Sequence, residues 1–338
     1  MKATVTIAGG GLAGLSLAAG LRLRGIPVEV HEAGSYPRHR VCGEFISGVD
    51  TSTLDALGIR EALRDARLLE SVAWFSKGRK IHEDTLSVPA YGISRHRLDC
   101  RLRDAVVGGG AAVLESSRVS RAPREGLVWA AGRIPSKGRW IGLKCHFADL
   151  PLLADLEMHL GSDGYAGLAS VEDGRVNVCG LFRVDRSHRG SGPELLLDYL
   201  RAGGNEALAS RLALALPDPA SFSATAGFAL GRQRADDGLC AIGDAESMIP
   251  PFTGNGMSMA FQSAEAALDP LAGWSEGHLD WNDCIASIRT ALHGKFRRRL
   301  TAAAFMHPVL LRSGGRRLIE ALGVSGLLPF RPLLSLVR

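Results

Sequence analysis

Residues 4–14, TVTIAGGGLAG, decide the fold of this chain. The β-branched, apolar start predicts a buried strand, and Gly9, Gly11 and Gly14 have the G-x-G-x-x-G spacing of a dinucleotide-binding turn. In such a turn Gly9 permits the tight bend, Gly11 lets the backbone approach a pyrophosphate, and Gly14 lets the next helix pack close to the strand. The free N–H groups at the start of that helix favour bound phosphate.

The next residues complete a β-α-β unit. A helix is expected from Leu12 to Gly25, ahead of Pro27, and residues 28–32, VEVHE, predict a second strand. Glu32 ends this strand about 20 residues beyond the glycines, where a carboxylate accepts a hydrogen bond from a ribose 2′-OH. A flexible glycine turn would not explain this order, so we expect a dinucleotide site that takes FAD or NAD rather than NADP.

A second segment, residues 241–257, also indicates a site for a ligand of this kind. Its sequence, AIGDAESMIPPFTGNGM, predicts a short buried strand with Asp244 at its tip, then a Pro/Gly loop that opens a long helix. This layout places one carboxylate and several backbone N–H groups around a single bound molecule.

Composition is that of a compact enzyme. The chain has 338 residues, 46% of them hydrophobic, which is enough for one large core or two modest ones. The first strand follows Met1 so closely that we expect no signal peptide, and no apolar run reaches the roughly 18 residues of a spanning helix. The six cysteines are scattered without a C-x-x-C pair, so reduced thiols in a cytoplasmic protein are expected, with no disulfide frame and no metal site.

Positive charge is concentrated in the C-terminal segment. Residues 295–338 hold nine Lys or Arg against Glu320 alone, a net +8, and the whole chain is +5, so the remainder is 5 − 8 = −3. This segment is also apolar. We favour a helical cap over the core with its basic face in solvent; the alternative is peripheral contact with an anionic membrane surface. No motif supports nucleic acid as a partner.

The order of the remaining elements indicates an interleaved fold. Helices are predicted at 54–69, 98–107 and 194–216, and strands at 112–114 and 127–131. Between them, residues 141–180 alternate apolar and polar residues with Asp-Gly turns, which predicts a half-exposed antiparallel meander. We therefore expect a discontinuous nucleotide domain, an inserted substrate domain and a helical basic C-terminal segment. Their predicted bounds are 1–70, 91–135 and 225–290 for the nucleotide domain, 71–90 and 136–224 for the substrate domain, and 291–338 for the C-terminal segment.

Taken together, these motifs resemble the FAD-dependent oxidoreductases of the p-hydroxybenzoate hydroxylase fold. The resemblance rests on the glycine turn with Glu32, the Gly243-Asp244 strand end and the loop at 251–256. Residues 38–44, RHRVCGE, are similar to the basic-x-Cys-Gly segment of the geranylgeranyl reductase-like branch. The resemblance implies an α/β fold with a Rossmann-like FAD-binding domain, an inserted, mainly antiparallel sheet for the substrate, and a helical C-terminus.

The resemblance also implies roles for individual residues. Gly9, Gly11 and Gly14 would hold the FAD pyrophosphate, Glu32 the adenosine ribose and Asp244 the ribityl chain. The flavin would be approached by backbone groups near its pyrimidine edge and by two arginines: Pro251, Gly254, Asn255, Gly256, Met257, Arg40 and Arg95. For Arg40 the alternative is a solvated loop arginine.

Cys42 and Glu44 are the candidate catalytic residues. If their loop covers the flavin, either could donate a proton to a substrate carbon. The alternatives are a small buried thiol for Cys42 and a helix-start acid for Glu44.

Departures from the family limit what the resemblance implies. Residues 131–133, AGR, lack the acid of the family's Asp-Gly pair, which puts direct use of NADH or NADPH as electron donor in doubt. A halogenase Trp-x-Trp-x-Ile-Pro segment is missing from the sequence, and residues 164–169 keep only Tyr165 of the lipid reductases' Tyr-x-Trp-x-Phe-Pro.

We therefore expect an FAD-dependent oxidoreductase that acts on a largely apolar small molecule. The favoured reaction is C=C reduction or dehydrogenation by hydride transfer at flavin N5. The alternatives are a flavin monooxygenase that hydroxylates an aromatic or polyketide substrate, and an FAD-binding protein without turnover. An NAD-dependent dehydrogenase would leave residues 243–256 without a role.

Overall fold

The computed structural model describes residues 2–227, 229–233 and 238–337. The strands in this part of the chain are β1 (Val5–Ala8), β2 (Val28–His31), β3 (Phe45–Ile46), β4 (Arg67–Ser76), β5 (Arg79–Gly92), β6 (Ala112–Leu114), β7 (Leu127–Trp129), β8 (Trp140–Ala148), β9 (Leu156–Gly161), β10 (Gly164–Ser170), β11 (Val176–Arg183), β12 (Leu216–Ala226), β13 (Gly231–Arg232), β14 (Cys240–Ala241) and β15 (Ser247–Met248). The helices are α1 (Leu12–Leu23), α2 (Thr51–Ala56), α3 (Arg95–Gly108), α4 (Pro193–Ala202), α5 (Glu206–Ala213), α6 (Gly256–Ser275), α7 (Trp281–Leu311), α8 (Ser313–Val324) and α9 (Phe330–Leu336).

The first layer is a five-stranded parallel sheet in the order β14-β7-β1-β2-β6. Its centre, β1, is apolar because helices cover both faces of the sheet. The strand order changes direction at β1, with β2 on one side and β7 on the other. In open parallel sheets ligands bind at this point, outside the carboxyl ends of the strands. The Rossmann-like prediction is confirmed.

Close helix packing holds this sheet. On α1 the buried side chains include Leu15, Leu17 and Leu21, which belong to one core with residues of α3 and α6. Burying each such leucine contributes roughly 1.5–3 kcal/mol. A Cβ at Gly20 of α1 would lie 2.8 Å from Leu268 of α6, so this glycine allows the two helices to approach.

The second layer is an eight-stranded sheet in the order β12-β8-β11-β10-β9-β4-β5-β3. All neighbouring pairs are antiparallel except β4 and β9, which run parallel. One face packs against α4 and α5 through a core that includes Leu143, Phe147, Leu196 and Leu208. The predicted, mainly antiparallel insert is confirmed.

The prediction that the meander is half exposed is wrong, because most residues on both faces of β8, β9, β10 and β11 are buried. Lys144 and His146, the polar positions of the alternation in β8, are 0% and 2% exposed. The chain around residues 39–45 covers this second face, and a Cβ at Gly142 would lie 2.7 Å from Val41 Cγ1. An alternating pattern gives the two faces of a strand; it does not tell whether a distant loop covers the polar one.

Two helix predictions are too long because glycines end the helices early. α2 stops at Ala56, Gly58 has φ +65°, and β4 already begins at Arg67. The stretch 194–216 divides into α4 and α5 at Gly203 and Gly204, the latter at φ +81°. A glycine in the left-handed region is the usual end of a helix.

The C-terminal helices lie against the second sheet. Arg331 pairs with Asp84 at 2.8 Å, and Ser76 Oγ contacts a Glu320 carboxylate oxygen at 2.5 Å. The predicted helical C-terminus is confirmed. Within the described residues, no helix combines the length and apolar character that a membrane span requires.

Candidate cofactor and substrate site

The glycine turn after β1 leaves an open cradle. Gly9 has φ +115°, and a Cβ there would lie 2.4 Å from Ala130 O. A Cβ at Gly14 would lie 2.0 Å from Gly9 O, so the start of α1 can lie against the turn only without a side chain. At Gly11 the nearest atom to a Cβ would be Arg95 Nη2 at 3.9 Å, so the space over its backbone is free. This geometry fits a pyrophosphate at a helix N-terminus.

Glu32 lies where the sequence predicts it, at the end of β2, but its carboxylate already has four donors. It accepts hydrogen bonds from Gly10 N and Gly34 N at 2.9 Å, and from Arg38 at 2.9 Å and Arg40 at 3.4 Å. Burial would raise the pKa of Glu32, but these donors outweigh it and the pKa is lowered. Since a carboxylate has about four acceptor sites, a ribose hydroxyl would have to replace one of the arginines.

Asp244 has the opposite environment. It follows β14 in a short helical turn, which Ser263 Oγ holds by accepting from Gly243 N at 3.0 Å. Among the described residues its carboxylate has no hydrogen-bond partner. Burial raises the pKa of Asp244 to about 6, against the opposing effect of Arg95 and Arg133. An unpartnered carboxylate at this edge of the sheet is suited to accept hydrogen bonds from ligand hydroxyls.

In the loop between Pro251 and Met257, Gly254 packs against Phe45 and Asn255 has a buried oxygen without a partner among the described residues. Gly254 has φ +67°, and a Cβ there would lie 2.2 Å from the Phe45 ring. Asn255 is fully buried; its Nδ2 donates to Thr253 O at 2.8 Å, while its Oδ1 has no partner among the described residues. α6 then begins at Gly256 without a side-chain cap, which leaves backbone N–H groups free for a ligand.

Arg95 contacts the side chain of Asp99 and the carboxylate of Glu44. Its guanidinium makes two hydrogen bonds to Asp99, at 2.7 and 2.8 Å, and its backbone N–H donates to Glu44 at 3.0 Å. The side chain is 12% exposed, and Asp99 raises its pKa although burial acts in the other direction. Arg40 also pairs with Asp99, at 3.1 Å, but is more exposed. The sequence ranked Arg40 first, whereas the structure places Arg95 nearer the glycine turn.

A buried ionic cluster that the sequence did not reveal lies beside the site. Glu44 adopts φ +57°, and its carboxylate lies 3.2 Å from Lys144 Nζ and 2.5 Å from His146 Nε2. Lys144 Nζ is also 3.0 Å from His39 Nδ1. Burial would raise the pKa of Glu44, but His146 and Lys144 outweigh it and the pKa is lowered. Burial and Lys144 lower the pKa of His39 to about 4, so this ring is neutral.

The same cluster has the spacing of a metal site. Ligand atoms of His39, Glu44 and His146 lie within 4.8 Å of one another. The ammonium group of Lys144 contacts both His39 and Glu44, however, and already supplies a cation there. We therefore assign a structural ion cluster rather than a metal centre.

The two catalytic candidates differ in protonation. Cys42 is held by Asn177, whose Nδ2 donates to its carbonyl at 2.9 Å, and burial raises the pKa of the Cys42 thiol. The thiol thus keeps its proton at neutral pH, as a proton donor must. Glu44 has a lowered pKa and is ionised. The role of either residue in catalysis stays a prediction, and the environment favours Cys42.

An aromatic cluster between the second sheet and α7 surrounds one neutral histidine. The ring centroid of His307 lies 5.4 Å from that of Trp140 and 5.9 Å from those of Tyr165 and Phe252. His307 is 6% exposed, and its Nε2 has no partner among the described residues. Burial lowers the pKa of His307 to about 4. The sequence singled out Tyr165 alone, because His307 lies in the segment that resembles no family motif.

A cleft of about 430 Å³ adjoins this aromatic cluster and shares Trp140 with it. Its lining combines basic and apolar side chains: Ser136, Lys137, Gly138, Arg139, Trp140, Arg183, Ala229 and Leu230. This volume is in the range of small-molecule sites.

Solved structures share this architecture. PqsL of P. aeruginosa in complex with 2-aminobenzoylacetate superposes with a TM-score of 0.74 at 18% identity, covering 94% of this chain and 98% of that one. The p-nitrophenol 4-monooxygenase PnpA from Pseudomonas putida DLL-E4 gives 0.76 at 13% identity, covering 100% and 97%. The flavin-dependent brominase Bmp2 gives 0.75 at 17% identity, covering 99% and 93%.

These likenesses establish the fold. Another PqsL structure, described as a probable FAD-dependent monooxygenase, gives a TM-score of 0.73 at 17% identity. This chain has the fold of FAD-dependent monooxygenases and halogenases over almost its whole length. No family model matches the sequence, and neither does any curated protein sequence.

Proposed function

We propose that the chain is an FAD-dependent oxidoreductase whose FAD binds at the carboxyl edge of the parallel sheet. The observation that carries this proposal is the open cradle at Gly11 together with two acceptors that have no partner among the described residues: the partly exposed carboxylate of Asp244, at the carboxyl end of β14, and the buried Oδ1 of Asn255. A ligand that filled only the glycine turn would leave both acceptors unsatisfied. A dinucleotide with a further polar ring system satisfies them.

FAD would supply the redox chemistry, and this chain's residues would bind and orient it. The N–H groups at the start of α1 would hold the phosphates, with Arg95 as the nearby cation. Asp244 would accept from the hydroxyls of the linker, and the free N–H groups that begin α6 would stabilise negative charge on the reduced ring. Glu32 would bind the ribose after one arginine moves away from its carboxylate.

For the reaction, we propose hydroxylation of an apolar aromatic molecule. Trp140 lines the cleft and offers its ring as a stacking surface, and the buried rings of Tyr165 and Phe252 exclude water around His307. Neutral His307 would form one hydrogen bond with a hydroxyl or amino substituent, which orients the substrate ring. The fold shared with monooxygenases supports this choice. NADH or NADPH is the proposed electron donor.

C=C reduction is the second candidate, and the Cys42 thiol favours it. The raised pKa keeps this thiol protonated, so it could deliver a proton to a substrate carbon. Hydroxylation, in contrast, adds no proton to a substrate carbon.

Chemically reduced, FAD-loaded enzyme separates the two reactions. We would add phenols, arylamines and aryl alkenes with and without ¹⁸O₂ and analyse the products by mass spectrometry. Hydroxylation predicts one ¹⁸O per product and no product without oxygen; reduction predicts product formed anaerobically. A protein that binds FAD and forms neither product would contradict both reactions.

Two variants sharpen this test. Loss of the His307 hydrogen bond in His307→Phe should lower kcat/KM for hydroxylation about 10-fold while FAD content stays unchanged. Cys42→Ser is the matched variant, since it should impair reduction and leave hydroxylation intact. If Cys42→Ser lowers activity and His307→Phe does not, the result would support reduction.

A further inference from the structure

The outer surface of the C-terminal helices is unusually apolar. Five of the fourteen large apolar side chains exposed among the described residues lie in the last tenth of the chain: Phe305, Leu318, Val324, Leu327 and Leu336. Phe305 is 77% exposed and Leu327 is 71% exposed. This concentration differs from the single exposed apolar residues that any protein surface carries.

Three of these side chains lie on exposed faces of two consecutive helices, Phe305 on α7 and Leu318 and Val324 on α8. On α7 an exposed stripe follows spacings of three and four residues through Arg298, Thr301, Phe305 and Pro308, and the exposed Arg312 follows the end of the helix. On α8, which follows directly, the exposed positions with one orientation are Arg317, Leu318, Ala321 and Val324. We call these two stripes, with Leu327 and Leu336, the C-terminal surface.

The charge of the C-terminal surface has one sign. Arg298, Arg312 and Arg317 are exposed and form no ion pair with a described residue. The acid of this segment, Glu320, is partly buried and contacts Ser76 Oγ, so it does not neutralise them. The surface therefore combines exposed apolar side chains with uncompensated positive charge.

We propose that the C-terminal surface docks on an anionic lipid bilayer. The apolar side chains would enter the interface, and the arginines would bind acidic headgroups. A second copy of this surface would bring like charges together. Nucleic acid would leave Leu318, Val324 and Leu327 without a partner.

The position of this surface gives docking a consequence. Phe305 points outward from α7 two residues before His307, which is buried in the aromatic cluster on the other side of the helix. Docking therefore places the aromatic cluster one helix diameter from the bilayer. Apolar molecules partition into the bilayer, so the cluster would lie close to them. Docking itself does not depend on the proposed reaction, and it is tested without it.

Vesicle flotation of the full-length protein tests the proposal. We expect binding to vesicles of phosphatidylcholine with phosphatidylglycerol, little binding to phosphatidylcholine alone, and release at high salt. Arg298→Gln and Arg317→Gln should each weaken binding about 5-fold. Phe305→Ser with Leu318→Ser should weaken it further at any salt concentration. FAD content, measured in parallel, should be unchanged in these variants.

Matched controls come from elsewhere on the surface. Leu214→Ser removes an 89% exposed leucine outside the C-terminal surface, and Arg118→Gln removes an exposed arginine that follows β6 at the far edge of the parallel sheet. Both should bind anionic vesicles like the unaltered protein. Equal loss in these controls, or no flotation with anionic vesicles, would overturn the proposal. So would sedimentation showing that the Phe305 and Leu318 changes dissociate a dimer that does not float.

Discussion

Two carboxylates near Arg95 have opposite environments. Glu44 accepts from Arg95 N and contacts Lys144 and His146, and its pKa is lowered. Asp244 has no hydrogen-bond partner among the described residues, and its pKa is raised to about 6. The fold satisfies the first acid by itself, so that acid belongs to the scaffold. The second is left for a ligand.

The difference has a free-energy consequence. Burial raises the pKa of Asp244, so the ionised carboxylate destabilises the cofactor-free protein. The buried Glu44 carboxylate is stabilised only while its partners Lys144 and His146 are present. Changes at the two sites should therefore affect stability with opposite signs.

The largest effect is expected from breaking the Glu44 cluster. Lys144→Met leaves a fully buried carboxylate short of a charge partner, which should lower the free energy of unfolding by about 3–5 kcal/mol. Lys80→Met is the matched control, because its pair with Glu83 is exposed and should contribute at most about 1 kcal/mol. Urea denaturation measures both. Adding Glu44→Gln to Lys144→Met should recover part of the loss; equal effects of Lys144→Met and Lys80→Met would show that the cluster is not part of the scaffold.

An intermediate effect of opposite sign is expected at Asp244. Because its folded pKa of about 6 lies above the ordinary value of 3.8, ionisation destabilises the cofactor-free protein as the pH rises from about 4 to about 6. Asp244→Asn should therefore stabilise this form at pH 8 by about 2–3 kcal/mol, with no difference below pH 4. Thermal unfolding between pH 4 and 8 measures the difference.

Asp65 is the control for the sign of the Asp244 effect, because its pKa is shifted in the opposite direction. Its hydrogen bond with Arg101 lowers the pKa of Asp65 to about 2. This carboxylate therefore contributes stability above its ordinary pKa and loses it as the pH falls. Asp65→Asn should destabilise the protein at pH 8, and a shared sign for the two variants would break the comparison.

The smallest effect at pH 8 is expected at His307. Removing its unpartnered Nε2 in His307→Phe should stabilise the protein by about 1 kcal/mol at pH 8. Burial lowers the pKa of His307 in the folded protein to about 4. As the pH falls below 6.5, the unfolded state therefore binds a proton that the folded state does not, and the free energy of unfolding decreases. The gap in melting temperature between variant and unaltered protein should widen over that range. A constant gap would mean that His307 is not buried as a neutral ring.

The sequence predicted those parts of the site that are contiguous in the chain. Gly9, Gly14 and Asp244 lie where their motifs place them, because a turn between a strand and a helix is set by local backbone geometry. The parallel sheet followed from the same β-α-β unit.

Side chains that meet across long distances in sequence could not be found this way. Lys144 reads as a solvent-facing position of β8, and only the loop carrying His39 and Glu44, 105 and 100 positions earlier by their numbers, buries it. His307 lies on a helix outside any motif. The ends of α2 and α4 were missed because glycine stops a helix whose apolar pattern continues.

Titration of the cofactor-free protein with FAD tests the central claim most directly, with flavin fluorescence reporting the bound fraction. We expect the unaltered protein to bind FAD and Asp244→Ala to raise Kd roughly 10- to 150-fold, the loss of charged hydrogen bonds worth about 1.5–3 kcal/mol. Like Asp244→Asn, Asp244→Ala removes the ionised carboxylate that destabilises the cofactor-free fold at pH 8, so unfolding would not explain weaker binding. No FAD binding by the unaltered protein, or an unchanged Kd in Asp244→Ala, would contradict the account.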